Sequence, residues 1–212
     1  MKKKETKIVL IILVTILIFC ILSILSKYFI LSNLSNKSEN IKMNNNYYAE
    51  AYTLSDNALT MRITYNKDSK FLTNYQTMSP IDSENRKIIS YVNGNEKIST
   101  IQYGENKTAI LGENCIENKI PINTYNIKDM DFFSKIILTI QTKVRSRNCN
   151  GKECYLIEKS KDWKLWVEKD TGLILREING DIISEFKYDF NTVKDTDIIR
   201  PDISNFKLVE KQ

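Results

Sequence analysis

The sequence predicts a mainly β (α+β) fold: an N-terminal transmembrane helix followed by an antiparallel sheet with one packed helix. Three observations predict it. A charge-free apolar run from Ile8 to Ile24 opens the chain. All six glycines fall between short alternating stretches further on, three of them in Asn-Gly pairs. One stretch, around residues 129–144, spaces its apolar residues as a helix does. Strands recurring at short spacing with tight turns favour an antiparallel meander over a parallel βαβ sheet.

Residues 1–7 form a basic tail and residues 8–31 the anchor. The run IVLIILVTILIFCILSI holds seventeen uncharged residues and continues past Lys27 as YFIL to Leu31. With Lys27 snorkelling, that suffices to cross a hydrocarbon core about 30 Å thick at about 1.5 Å per residue. Lys2, Lys3, Lys4 and Lys7 keep the N-terminus cytoplasmic and place the C-terminal domain outside the cell membrane, single-pass. A cleaved signal peptide is the competing reading, but it calls for a shorter apolar core and small residues at its end, where this chain has Ile24-Leu25-Ser26. Cys20 follows the bulky Phe19, which suits a buried apolar thiol better than a lipidated cysteine.

The charge is localised. Five lysines stand against one glutamate through residue 36, leaving 26 Lys+Arg against 25 Asp+Glu in the remainder. The pI near 8.8 therefore reports the membrane-proximal tail, and no nucleic-acid surface is implied. The chain has no histidine, which removes Ser-His-Asp and Cys-His catalysis and every imidazole metal site. No cofactor is implied.

Residues 32–46 (SNLSNKSENIKMNNN) are polar, lack a hydrophobic period and read as a disordered linker. The extracytoplasmic β domain follows over 47–212. Its stretch Leu59–Tyr65 alternates cleanly, with Leu59, Met61, Ile63 and Tyr65 on an apolar face and Arg62 on the polar one. Asn93-Gly94, Asn150-Gly151 and Asn179-Gly180 signal hairpins, and Asn66–Ser69 and Asp170–Gly172 further turns. In the middle, Asp129 can cap a helix that lines up Phe133, Ile136, Ile137, Ile140 and Val144 on one side. Its β-branched content makes it dependent on packing against the sheet, either as core or as a lid over a ligand cavity.

Cys115, Cys149 and Cys154 lie outside, where disulfides form. The Asn-Gly turn between Cys149 and Cys154 can bring their Cα atoms to the roughly 4.4–6.8 Å a disulfide needs, with a bridge from Cys115 to either as the alternative. The spacing is not that of a redox dithiol.

The C-terminal third runs KLWVEKDTGLILR from Lys164 to Arg176, then an Asn-Gly turn, then SEFKYDF from Ser184 to Phe190 and a tail containing NTVKDTD and PDISNF. This resembles envelope proteins of the LolA/RseB type, with their W-V-x-x-x-T-G-L-x-L-R strand–turn–strand. ISYVNG from Ile89 and ISTIQYG from Ile98 look like that family's preceding hairpin. The resemblance covers about 47–208. It implies a half-open, barrel-like antiparallel sheet with helix in its concavity, used for lipid acyl chains, lipoproteins or envelope-stress sensing. A retained anchor departs from the soluble carriers, whose cargo-binding arginine is not carried over to Arg62. Polar linker stands where the family places a helix before its first strand.

Trp163 and Trp166 face opposite ways on a strand: Trp163 with Leu165 and Val167 in the core, Trp166 with Lys164 and Glu168 at an outer face or cavity rim. An outward tryptophan either contacts a lipid or protein partner or covers apolar surface beside lysine stems. Carboxylates are plentiful, but no spacing selects an acid/base pair. Asp195, Asp197 and Asp202 cluster without the calcium-loop pattern. The leading expectation is a non-catalytic, membrane-anchored binding protein for a hydrophobic ligand, lipoprotein or envelope polypeptide. Its expected ligand residues are Phe133, Ile136, Ile137, Ile140 and Trp166. The rivals are a structural or interaction subunit with a filled barrel and a histidine-independent hydrolase.

Overall fold

A computed structural model describes residues 2–55, 58–79 and 85–209. It is mostly β, with a long N-terminal apolar helix and one further short helix. Helix α1 spans Lys2–Lys42 and α2 spans Phe132–Gln141. The first six strands are β1 (Asn46–Ser55), β2 (Ala58–Lys67), β3 (Lys70–Met78), β4 (Arg86–Asn93), β5 (Glu96–Tyr103) and β6 (Asn106–Leu111). After α2 come β7 (Lys143–Cys149), β8 (Lys152–Glu158), β9 (Trp163–Glu168), β10 (Ile174–Asn179), β11 (Ile182–Phe190) and the short β12 (Lys207–Val209).

The twelve described strands form one open sheet, not a closed barrel, in the order β12-β6-β5-β4-β3-β2-β1-β11-β10-β9-β8-β7. Two antiparallel meanders are thus joined where β1 pairs with β11, and β12 adds in parallel to β6. The hairpin turns fall where the sequence places them. At Asn150-Gly151 both residues have positive φ, as a type I′ turn requires. At Gly94 and Gly180 only the glycine is left-handed, and the turn runs one residue later, over Gly94-Asn95 and Gly180-Asp181.

Because β6 and β7 lie far apart in the sheet, the connection between them crosses one face. That connection, residues 112–131, is a strap with little secondary structure of its own, and its backbone groups need partners. Side chains of the strands supply them. Thr64, Thr73, Ser90 and Ser99 sit opposite one another across β2, β3, β4 and β5, all fully buried. Ile120 N–H donates to Thr64 Oγ1 at 3.0 Å, and Thr64 and Thr73 share a hydroxyl hydrogen bond of 3.1 Å. Ile116 N–H donates to Ser99 Oγ at 2.8 Å, and the Tyr47 hydroxyl donates to the Ile120 carbonyl at 2.8 Å. Ile120 and Ile122 then pack with Tyr47, Ala49, Ala51 and Tyr188.

The alternation expected of the second strand holds, with its polar side turned inward. Its polar alternation (Arg62, Thr64, Asn66) faces the buried strap, and Arg62 lies with its guanidinium 5.8 Å from the Tyr75 ring. Its apolar alternation faces the other way, where the Tyr65 ring lies tilted against Tyr48, 5.0 Å between centroids, and joins a cluster closed by Val193 and Ile198 of the C-terminal segment. Hydroxyls bury readily when a backbone needs them, and hydropathy alone does not see that need.

The polar stretch expected to be a linker is different. Residues 32–42 continue α1, and Leu31, Leu34, Ser35 and Ser38 are buried against the same face of the sheet. Leu31 and Leu34 pack with Tyr125, Ile127, Ile157, Leu165 and Val167. Ser35 Oγ accepts from Ile127 N–H at 3.0 Å, Lys37 Nζ reaches the Lys169 carbonyl at 2.8 Å, and Lys128 pairs with Glu39 at 2.6 Å. At Gly172, with φ of +72°, an added Cβ would lie 2.4 Å from the Leu34 carbonyl oxygen, so the turn before β10 is shaped to seat the helix. The apolar positions are sparse but helically spaced, and tertiary contacts stabilise what composition disfavours.

Candidate functional site

The face carrying α1, α2 and the strap is the helix face. On the opposite, outer face, the C-terminal segment after β11 covers the strands from β1 to β5. Further along that face a cleft of about 530 Å³ is lined by residues of β1, β9, β10 and β11 and by the β7–β8 hairpin tip.

Trp166 and Arg176 form its centre. Val167 pairs with Ile174 while Trp166 pairs with Arg176, so Leu175 is an extra, bulged residue. Without the bulge, alternation would turn Arg176 to the helix face; with it, the guanidinium stands 5.0 Å from the Trp166 ring. Arg176 Nε is 3.5 Å from Glu185 Oε1 but makes no hydrogen bond, leaving a buried donor unsatisfied.

A second cluster lies beside it. Glu50 accepts a short hydrogen bond from the Tyr48 hydroxyl and one of 3.2 Å from Tyr52, and Lys187 Nζ stands 3.5 Å away. The Tyr48 hydrogen bond, with help from Lys187, holds the Glu50 carboxyl below its ordinary range. The charge of Glu50 in turn raises Lys187. At the hairpin end, Lys152 pairs with Glu168 at 2.9 Å. The cleft thus offers an aromatic wall, a free guanidinium donor and fixed charges of both signs.

The structure brings only Trp166 of the expected ligand residues to this cleft. Asp131, not Asp129, caps α2, accepting from Ser134 N–H at 3.0 Å, and Val144 belongs to β7. The helix turns Thr139 and Leu138 inward, while Phe133 is 74% exposed and Ile137 and Ile140 are also exposed; Ile136 is half-buried. The stripe that sequence spacing assigned to core or lid therefore faces away from the domain. Cys149 and Cys154 are free thiols on one face of their hairpin, diagonal because Cys154 sits opposite Arg147. Burial, with Cys149 beside it, pushes the Cys154 thiol up to about 12.

Among the described residues no cluster of His, Cys, Asp and Glu is placed to hold a metal ion. Asp195 pairs with Lys67 and Lys70, Asp197 accepts from Lys194 N–H, and Asp202 accepts from Ser204 N–H. Glu50 carries no motif, and although Arg176, Glu185 and Lys187 fall in the stretches quoted above, only the pairing of β1 with β11 and the bulge bring the four together.

No family model and no curated protein matches the chain. Among solved structures, the crystal structure of MucB in complex with MucA(peri) aligns with 78% of this chain at 10% identity and a TM-score of 0.37. The chain spans 57% of that structure's chain. MucB is an RseB homologue, and the likeness is a loose structural resemblance that specifies no ligand.

Proposed function

We propose that this is a membrane-anchored, extracytoplasmic, non-catalytic binding protein whose outer-face cleft takes a segment of an envelope polypeptide. The observation that carries the reading is the contrast in occupancy between the faces. The helix face, where an acyl chain would lie, is filled by Leu31, Leu34, Ile120, Ile122 and Tyr125. The cleft is open and lined by indole, guanidinium, carboxylate and ammonium groups, a mixture suited to backbone carbonyls and charged side chains. Support thus moves from the hydrophobic-ligand expectation toward the protein-interaction one.

Helix α1 contains one span long and apolar enough to cross a membrane, and the lysine-rich N-terminus orients it with the β domain outside. In that oxidising setting Cys149 and Cys154 close to a disulfide across their hairpin. Loss of two hydrogens from the intact mass, reversed by reductant, checks this.

The function is tested with a photo-crosslinking amino acid in place of Trp166 in the full chain, irradiated in its own membranes. The expected adduct is a polypeptide, lost when Arg176→Ala is added. Adducts with lipid alone, or polypeptide adducts indifferent to Arg176, would overturn the reading.

A further inference from the structure

The anchor reading of α1, on which this inference rests, leaves the exposed apolar face of α2 without a role. Phe132, Phe133, Ile137 and Ile140 are each more than half exposed, and Phe29 of α1 is 68% exposed. We propose that this face is a second membrane contact: α2 lies in the interface of the same bilayer that α1 spans, holding the domain down on the lipid.

Position along α1 is the first argument. Twenty residues from Ile8 reach Lys27 and cover the roughly 30 Å of a hydrocarbon core. Lys27 Nζ donates to the carbonyl of Thr142, the residue that ends α2, at 3.2 Å. Leu138 of α2 packs in the cluster that holds Ile30 and Leu31 of α1. Helix α2 therefore sits at the level where the anchor leaves the hydrocarbon.

The second argument is independent and comes from strand direction. Helix α1 runs over the sheet with Leu34 and Ser38 at the Gly172 turn and Lys27 at the opposite end, beside Thr142. Antiparallel pairing carries that end from the start of β7 to the start of β11 and the β1–β2 hairpin. Leu54, Leu59 and Ile182 sit there, all exposed. The end facing the membrane thus carries exposed aliphatic side chains on three adjoining strands, while at the far end Met43 and Ile199 are exposed singly. The far-end turns carry Asn66–Ser69, Gly94-Asn95 and Asn150-Gly151 instead.

The chemistry of α2 suits an interface. Two adjacent phenylalanines and two isoleucines supply the apolar face, and Lys135 and the Asp131 cap lie on the half-wet side. A ten-residue helix with this much β-branching is marginal alone, and lipid contact adds burial that the domain does not provide.

The test uses the full chain in lipid nanodiscs, with a spin label on a ketone-bearing unnatural residue so that native cysteines stay in place. The label replaces Val14, Ile137 or Asn95 in turn, and collisions with oxygen and with a water-soluble nickel chelate are measured. The expected result places Val14 in the hydrocarbon, Ile137 about 5–10 Å below headgroup level, and Asn95 in water. An aqueous Ile137 beside a lipid-immersed Val14 overturns the α2 contact and leaves the anchor standing. An aqueous Val14 overturns the anchor itself. An Ile137 shielded from both reagents shows protein covering the helix, a partner or a second copy, and also overturns the proposal.

Discussion

The two faces of the sheet solve opposite problems. Over β2 to β5 the helix face is sealed by a strap whose backbone hydrogen bonds end on Thr64, Ser99 and Tyr47, and the outer face is sealed by the C-terminal segment. Over β9 to β11 the helix face is sealed by α1, but the outer face stays open and keeps an unsatisfied arginine donor. In one part the buried hydroxyls of the strands are spent on the strap that covers them; in the other a bulge turns an arginine out onto an uncovered face.

That contrast can be broken at graded cost. The largest effect is expected at Gly172→Ala, where a Cβ would meet the Leu34 carbonyl and the φ is left-handed; stability should fall by roughly 3 kcal/mol or more in denaturant melts of the detergent-solubilised chain. Leu34→Ala should cost about 3 kcal/mol by removing a buried side chain from the α1 seat. Thr64→Val keeps the shape but leaves Ile120 N–H without its acceptor, for a loss of about 2 kcal/mol. On the open face the balance reverses. Trp166→Ala should change stability by less than about 1 kcal/mol yet weaken capture of the crosslinked polypeptide tenfold or more, about 1.4 kcal/mol. A Trp166 variant that melts like Leu34→Ala would show the cleft to be core.

The smallest effect is in pH. The folded-state pKa of Glu50 lies below its ordinary value of 4.5, so its contribution is complete above that value and is lost as pH falls through the folded pKa. Glu50→Gln should therefore lower stability slightly near neutrality, leave it little changed in acid, and so flatten the acid limb of a pH–stability profile. An unchanged acid limb would separate the Tyr48–Glu50–Lys187 cluster from folding.

Much of the fold was legible because local rules and tertiary structure agree. The Asn-Gly turns, the alternation and the opposed tryptophans each depend on neighbours within a few residues. The misreadings share one physical origin. Residues 32–42 and the stripe of α2 are both places where nothing within a few residues says whether a surface is covered. Hydropathy sent Ser35 and Ser38 to solvent, although each is buried. It sent Phe133 and Ile137 to the core, although each is exposed. The cleft was the least legible of all, since Trp166 alone could be placed by alternation and Arg176 reaches it only through the bulge at Leu175.

Helix α1 runs without a break from its apolar stretch to the seat at Gly172. With α1 as the proposed anchor, a domain joined in this way has no swivel: helical phase sets its compass bearing on the membrane. One residue inserted within the apolar stretch would turn the domain by about 100° and lift it by about 1.5 Å. Seven would return it almost to its first bearing, about 10 Å higher, since 3.6 residues make a turn. Whatever meets the cleft must therefore arrive from a direction written into the length of the anchor.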